Sequence, residues 1–124
     1  MKNNKHVILC IDDDKEFLDS LKIILEGEGY SVALAFSAEE GKKKFKEVKP
    51  DLLIVDLMME EIDSGVNLVK ELKVMGAQQP IYMLSSVGDN LNRNIDYTDL
   101  GLTGVFQKPI NPHSLITTLK AVLK

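Results

Sequence analysis

Short apolar runs without polar alternation recur along this chain, and they constrain its fold more than any other feature. Four have the length of a strand and the fifth is shorter: Val7–Ile11, Val32–Phe36, Leu52–Val55, Ile81–Leu84 and Val105–Phe106. A strand with one solvated face alternates apolar and polar residues, whereas a continuous apolar run is covered on both faces. The runs therefore predict a parallel sheet with helices on either side.

Amphipathic segments follow these runs. Apolar residues recur at helical spacing within four of them, namely Phe17–Leu25, Ala38–Val48, Leu68–Met75 and Leu115–Leu123. Ser37 with Glu40 forms a capping box before the second segment, and Asn111 with Pro112 is a typical helix start before the last. Residues 89–100 should hold one more helix, but three asparagines and few apolar positions leave only a weak pattern there.

Five strand–helix repeats fill the 124 residues, which predicts a single domain over residues 1–124. Regular alternation of strands and helices favours an α/β fold, here a doubly wound (βα)5 sandwich around a five-stranded parallel sheet. The flavodoxin-like strand order 2-1-3-4-5 is expected because known folds of this kind have it, and not because the pattern itself dictates it.

Charge and composition exclude several classes of partner. The chain has 15 basic and 19 acidic residues, so its net charge of -4 argues against nucleic acid, which needs a basic surface. No apolar span reaches transmembrane length, and the N-terminal segment with its five apolar residues is too short for a signal peptide. Cys10 lies within the first apolar run, which predicts a buried packing role, and a single cysteine fits a reducing compartment. We expect a cytoplasmic protein that contacts neither membrane nor nucleic acid.

Three adjacent acids follow the first apolar run in the stretch "VILCIDDDKEF". Asp12, Asp13 and Asp14 repel one another, and partial burial at a strand end increases the cost. One interpretation is a helix start, because aspartate satisfies free N–H groups there and suits the helix dipole. The other is a cation site. Both stay open from this stretch alone.

The ends of the other runs extend the pattern. In doubly wound sheets ligands bind outside the carboxyl ends of the strands, where this chain places Asp56, Ser85 and Lys108 beside the first acids. Capping, loop formation or a surface charge would explain each residue singly, but not why complementary groups collect at one edge. The set is typical of phosphoryl transfer to a carboxylate. Mg²⁺ would join the acids, Asp56 would attack, and Lys108 and Ser85 would hold phosphoryl oxygens.

Four segments, "ILCIDDD", "PDLLIVDLMM", "PIYMLSS" and "GVFQKPI", occur in this order, and with them essentially the whole chain resembles the receiver domain of two-component response regulators. The resemblance implies that Asp56 is the phosphoaccepting aspartate, Ser85 the switch hydroxyl and Lys108 the lysine that contacts the phosphoryl group. It also implies that Mg²⁺ is held by Asp13 directly, by Asp12 through water, and by Asp56 and the backbone carbonyl of Met58.

The chain departs from the usual receiver pattern at several positions. Val105 replaces the aromatic residue that commonly rotates inward on activation, so we expect activation not to rely on that position. Apolar Met58 and Val87 would flank the water that hydrolyses an acyl phosphate, which predicts a long-lived phosphoryl group. The resemblance also implies a cis peptide bond before Pro109. Glu60 replaces a usual proline, and the turn at 62–65 is one residue longer than usual.

The function predicted from these residues is that of a stand-alone response regulator. It would take a phosphoryl group from a phosphohistidine of a sensor histidine kinase or histidine phosphotransfer protein, and it would not be an enzyme toward other molecules. Because no effector domain follows Lys124, output would run through a downstream protein target or a phosphorelay.

Two alternatives belong to other classes. A haloacid-dehalogenase-like phosphatase would use Asp12-x-Asp14, but Glu16 stands where that family has threonine or valine. A receiver-like module that binds partners without phosphorylation is disfavoured because Asp13, Asp56, Ser85 and Lys108 are all present.

Overall fold

The computed structural model describes residues 6–56, 64–86, 101–108 and 110–123. Within them, five strands and four helices follow one another in the order β1 (Val7–Ile11), α1 (Lys15–Gly27), β2 (Ser31–Ala35), α2 (Ala38–Val48), β3 (Leu52–Asp56), α3 (Ser64–Val74), β4 (Ile81–Ser86), β5 (Gly104–Lys108) and α4 (Pro112–Val122). The helix predicted within 89–100 lies outside the described residues, as do Met58, Val87 and the bond before Pro109.

The five strands form one parallel sheet in the order β2-β1-β3-β4-β5, which confirms the predicted flavodoxin-like topology. β1 and β3 lie in its interior, and every residue of β3 is buried. This position explains why their apolar runs are continuous. β5 lies at an edge of the sheet, and its residues alternate between half-buried and exposed.

Each face of the sheet has its own buried core. α2 and α3 cover one face, where the cluster includes Leu9, Ile11, Leu53, Val55, Val66, Leu68, Val69, Leu72, Ile81 and Met83. α1 and α4 cover the other, where it includes Ile8, Cys10, Leu18, Leu21, Leu25, Leu52, Ile54, Leu84, Leu115 and Leu119. The continuous runs therefore feed both cores at once, and the sandwich is doubly wound. Cys10 is fully buried, as predicted.

Several strands extend beyond their apolar runs. β3 ends on Asp56, β4 ends on Ser86, and β5 spans Gly104–Lys108 around a run of only two residues. β2 begins and ends one residue earlier than predicted, because Phe36 already belongs to the bend before α2. A strand is apolar where its side chains face the two cores. Its pairing with the neighbouring strands continues beyond that part, to the polar residues at the carboxyl edge of the sheet.

Side chains of the preceding residues cap the helices. Asp14 Oδ1 accepts a hydrogen bond from the Phe17 N–H at 3.1 Å, and Ser37 Oγ accepts one from the Glu40 N–H at 3.1 Å. Glu40 Oε1 in turn accepts from the Phe36 N–H at 2.6 Å, which completes the predicted reciprocal cap one residue before Ser37. Among the described residues no helix combines the length and the apolar character that crossing a membrane requires.

Candidate functional site

Three carboxylates meet at the carboxyl edge of the sheet. Asp12 and Asp13 directly follow β1, and Asp56 is the last residue of β3, the neighbouring strand. One carboxylate oxygen from each of the three lies within 4.8 Å of the others. Asp12 is fully buried and Asp56 is 6% exposed, whereas Asp13 is exposed. The cluster is therefore closed toward the core and open to solvent on the side of Asp13.

Lys108 reaches this cluster from the edge strand β5. Its Nζ lies 2.7 Å from Asp12 Oδ2 and 3.3 Å from Asp56 Oδ1. The two carboxylate side chains are 1% and 8% exposed, and the lysine side chain is 20% exposed. A buried carboxylate is tolerated when an opposite charge and hydrogen bonds replace water. The ammonium thus offsets part of the repulsion among the acids.

The three adjacent acids Asp12, Asp13 and Asp14, called the acidic triplet below, have different roles in the structure. The Asp14 N–H donates to Asp12 Oδ1 at 3.0 Å, so both oxygens of Asp12 have a partner, the other being Lys108. The carboxylate of Asp14 instead caps α1 through the Phe17 N–H. The helix-start interpretation therefore holds for Asp14, while Asp12 and Asp13 join the carboxylate cluster that a cation site would require.

Burial and mutual repulsion perturb the ionisation of the cluster. Burial, and then the charge of Asp12, raise the pKa of Asp56 from 3.8 to about 7, against an opposing effect of Lys108. Partial loss of water and the Asp12 charge also raise the pKa of Asp13. Burial lowers the pKa of Lys108, but its hydrogen bonds and charge contacts with Asp12 and Asp56 outweigh this and raise it above its usual value. The lysine is therefore cationic near neutrality, whereas Asp56 is poised between its two states.

Ser85 is 5% exposed near the end of β4, the strand between those that carry Asp56 and Lys108. In the ladder its neighbour Leu84 pairs with Asp56, so Ser85 lies at the same edge of the sheet. The position of Ser85 at the site is inferred from strand order. The side chains of Lys108, Asp12 and Asp56, in contrast, are in direct contact. Met58, which was predicted to contribute a backbone carbonyl, lies outside the described residues.

Phe17 belongs to the site although its sequence pattern did not indicate this. The pattern places it in the apolar stripe of α1, and its side chain does pack against the core of that face. Its ring centroid also lies 4.5 Å from Lys108 Nζ, within cation–π range. The signal that could have found it is its place in the first turn of α1, three residues after the cap Asp14.

The donor set fits a hard divalent cation. Asp12, Asp13 and Asp56 offer carboxylate oxygens only, which are the ligands that Mg²⁺ prefers. Asp13 gives such an ion access from solvent. The raised pKa of Asp56 reflects burial first and then charge repulsion, and a cation would relieve the repulsion.

Comparison with known proteins identifies the class to which this fold and this site belong. Residues 8–120 match the family model described as response regulator receiver domain, and the chain belongs to that family. The alkaline phosphatase synthesis transcriptional regulatory protein PhoP of Bacillus subtilis is 32% identical over 117 residues, which are 94% of this chain and 48% of that protein. The transcriptional regulatory protein CpxR of Escherichia coli is 33% identical over 117 residues, 94% of this chain and 49% of that protein. The chain thus spans about half the length of these curated relatives.

Solved structures of similar proteins agree with this assignment. A two-component response regulator from Clostridium difficile has a TM-score of 0.86 and 28% identity, with 96% of each chain covered. The chemotaxis protein CheY4 of Vibrio cholerae has a TM-score of 0.85 and 27% identity, with 96% of this chain and 99% of that chain covered. The resemblance inferred from the sequence motifs is confirmed.

Proposed function

We propose that this receiver domain accepts a phosphoryl group on Asp56 from a phosphohistidine of a sensor histidine kinase or a histidine phosphotransfer protein. The observation that carries the proposal is the meeting of three carboxylates and one ammonium, Asp12, Asp13, Asp56 and Lys108, at the edge of the sheet where such folds bind ligands. Membership of the receiver family supports it.

Asp56 is better suited than its neighbours to attack phosphorus. Asp12 is fully buried and has a partner on each oxygen, the Asp14 N–H and Lys108. Asp56 lies between the acids that follow β1 and the lysine on β5, so a phosphoryl group on it would lie within reach of both. Its contact with Lys108 is the longer one, at 3.3 Å. The lysine therefore holds the carboxylate of Asp56 less closely than that of Asp12.

The transfer exchanges one bond to phosphorus for another. An oxygen of ionised Asp56 bonds to phosphorus while the phosphorus–nitrogen bond of the donor breaks. The donor imidazole keeps that electron pair and takes up a proton from water. Lys108 stabilises the charge on the phosphoryl oxygens through its N–H groups, and the Ser85 hydroxyl donates a hydrogen bond to one of them.

Asp12, Asp13 and Asp56, together with the backbone carbonyl of Met58, would hold Mg²⁺. When bound, the ion supplies positive charge that neutralises the carboxylates and the phosphoryl oxygens. Asp13 is the exposed member and would receive the ion from solvent, while buried Asp12 is held in the metal-free protein by its bonds to Lys108 and the Asp14 N–H.

The haloacid-dehalogenase alternative needs Asp12 and Asp14 in one site. Asp14 is exposed, its carboxylate caps α1, and it is not among the three clustered acids. The alternative of a module that binds without phosphorylation leaves a cluster of two buried acids and one exposed acid unexplained. A buried carboxylate costs stability, and a functional site gives a reason for retaining it.

Output is the part of the function that the site itself constrains least. We expect the phosphorylated domain to signal by contact with a downstream protein or to pass its phosphoryl group on. The surface around β5 and its flanking helices is the expected contact face, by resemblance to other receivers. The relatives of about twice this length are named transcriptional regulators, and the stand-alone mode of output stays a prediction.

Intact-mass measurement with a small acyl phosphate, with and without Mg²⁺, tests the proposal. Wild type should gain one phosphoryl group in the presence of Mg²⁺ only, and Asp56→Asn should gain none. Asp14→Asn is the matched control, because asparagine keeps the helix cap while it removes one acid from the triplet. It should be phosphorylated like wild type. Phosphorylation of Asp56→Asn at the wild-type rate would show that the acceptor is another residue.

A further inference from the structure

Among the residues that the structure describes, Lys108 has one uncharged partner in the site, the ring of Phe17. The ring centroid lies 4.5 Å from Nζ, on a side chain held by the first turn of α1 and packed against the core. The other partners of the ammonium are the oxygens of Asp12 and Asp56, at 2.7 and 3.3 Å. One cation thus has two ionic contacts and one aromatic contact.

Both ionic contacts of Lys108 would be disturbed in the reaction that we assign to this site, and this inference rests on that assignment. Asp12 would share its carboxylate between Lys108 and a bound divalent cation, and a phosphoryl group would occupy an oxygen of Asp56. The attraction between an ammonium and an aromatic face depends on the ring quadrupole and is unchanged when either oxygen is taken. The aromatic contact is therefore the one that lasts.

We propose that Phe17 is a positioning residue, whose ring keeps the Lys108 ammonium over the site while the carboxylates change partners. Phe17 contacts neither phosphorus nor metal in this role. Without the ring, the flexible lysine stem would spend more of its time in solvent. The ring limits that freedom and also removes water from one side of the ammonium.

The position of Phe17 is set by the acidic triplet itself. Its N–H donates to Asp14 Oδ1 at 3.1 Å, and the Asp14 N–H donates to Asp12 Oδ1 at 3.0 Å. Asp12 in turn accepts from Lys108. A closed circuit of contacts therefore joins the cap, the ring, the ammonium and the buried acid. This circuit gives the third acid of the triplet an indirect connection to the site.

A second cation–π pair at the same edge of the sheet provides a matched control. Lys15 Nζ lies 5.4 Å from the centroid of the Phe36 ring, just after β2. Phe36 is also half-buried against the same core, but its cation is Lys15 instead of Lys108. Phe36→Leu therefore removes an aromatic ring at this edge without touching the ammonium of the site.

Nuclear magnetic resonance tests the contact directly. The ε-methylene protons of Lys108 should be shifted upfield by the ring current of Phe17, and the shift should persist at saturating Mg²⁺. Phe17→Leu should abolish it, whereas Phe17→Tyr and Phe36→Leu should retain it. If the wild-type protons show no upfield shift once Mg²⁺ is bound, the proposal is overturned, whatever the variants do.

The rate of phosphorylation by acetyl phosphate at saturating Mg²⁺ tests the consequence. Phe17→Leu should be slower by roughly 3- to 10-fold, the range that a cation–π contact of this kind supports, with Mg²⁺ affinity changed by less than about twofold. Phe17→Tyr should restore most of the rate because it restores the ring. A tyrosine variant as slow as the leucine variant would contradict the role of the ring. Absence of phosphorylation in wild type would instead refute the function assigned to the site, and the ring-current shift would then still decide whether Phe17 holds Lys108.

Discussion

In the described part of the chain, two lysines each lie between two carboxylates: Lys108 in the candidate site and Lys42 on the surface of α2. Lys108 is 2.7 and 3.3 Å from its acids, and Lys42 is 3.0 Å from Glu71 and 3.5 Å from Glu39. The contact lengths are similar. The carboxylate side chains are 1% and 8% exposed in the site, but 54% and 88% exposed on the surface.

The comparison shows that burial determines how much an ion pair affects the stability of the fold. Water and salt screen the acids around Lys42, so that pair can break and re-form without consequence for the fold. The two acids that contact Lys108 have lost their water, and a third acid lies beside them. A fold that needed only stability would place apolar residues there. The buried cluster is therefore explained by chemistry, whereas the surface pair needs no such explanation.

The largest difference between the two regions should be in their dependence on pH. Asp56 has a pKa of about 7 in the folded, metal-free protein, against 3.8 for the ordinary group. Below about pH 4 both states are protonated, and between about pH 4 and 7 only the unfolded state loses the proton. The free energy of unfolding should therefore fall by up to about 4 kcal/mol as pH rises through this window. Urea unfolding at several pH values measures it.

Asp56→Asn isolates this effect, because asparagine does not titrate. The difference in unfolding free energy between the variant and wild type should grow with pH and level off above about pH 7. Saturating Mg²⁺ should stabilise wild type more at about pH 7.5 than at pH 5, where binding must displace a proton from Asp56. The hydrogen bond to Glu71 raises the pKa of Lys42, so this lysine stays protonated in the folded and the unfolded state throughout the window. A constant difference between wild type and Asp56→Asn would contradict the prediction.

Removal of the two lysines compares the regions directly. Lys108→Met leaves buried Asp12 and Asp56 without their cation, and we expect a loss of about 3 kcal/mol of stability at pH 8 without Mg²⁺. The loss should shrink at pH 5, where Asp56 is protonated. Lys42→Met should leave the urea midpoint unchanged at both values, because its partners stay in water. Equal losses in the two variants would mean that burial does not separate the two regions.

The sequence predicts the parts of the molecule that depend on the sheet interior. β3 lies between two other strands and between two helical layers, so burial requires apolar residues throughout until Asp56. The carboxyl ends of parallel strands share one edge, so strand ends alone are enough to place the acids together. β5 was harder to predict, since an edge strand needs apolar residues on only part of its length.

The strand ends place Lys108 and Asp12 at one edge of the sheet, but the particular partner of each side chain could not be predicted in the same way. Lys108 reaches Asp12 across 96 residues of sequence, and Lys42 reaches Glu71 across 29. In both cases the partner depends on how two elements pack, and no local pattern encodes it. Phe17 is the clearest example, because an aromatic residue in an apolar helical stripe indicates a core position and nothing more.

Gly41 in α2 adjoins both regions, because it precedes Lys42 in the chain and packs against the side chain of Ile11. Gly41 precedes Lys42, and a Cβ on it would lie 2.7 Å from Cδ1 and 3.2 Å from Cγ1 of Ile11, the residue before Asp12. Gly41→Ala should therefore lower stability by about 1–2 kcal/mol, as overpacking outweighs the gain in helix propensity, and it should weaken Mg²⁺ binding by displacing Asp12. Gly27→Ala is the control, because nothing lies within 4 Å of a Cβ there. Stability should not fall in the control. An equal loss of stability in both variants would show that packing against Ile11 is not the cause.

The smallest expected effect distinguishes the role of Asp14 from the roles of Asp12 and Asp13. Asp14 is exposed, and its side chain caps α1, so Asp14→Ala should cost about 1 kcal/mol of unfolding free energy. Mg²⁺ affinity should stay within about twofold of wild type, because alanine keeps the backbone N–H that donates to Asp12. Asp14→Asn keeps the cap and should retain most of the stability, which separates the loss of the cap from the loss of the charge. Thermal unfolding and a Mg²⁺ titration of all three proteins measure both quantities. A fall in Mg²⁺ affinity of more than tenfold in both variants would show that Asp14 is a further member of the acidic cluster, and the division of the triplet would be wrong.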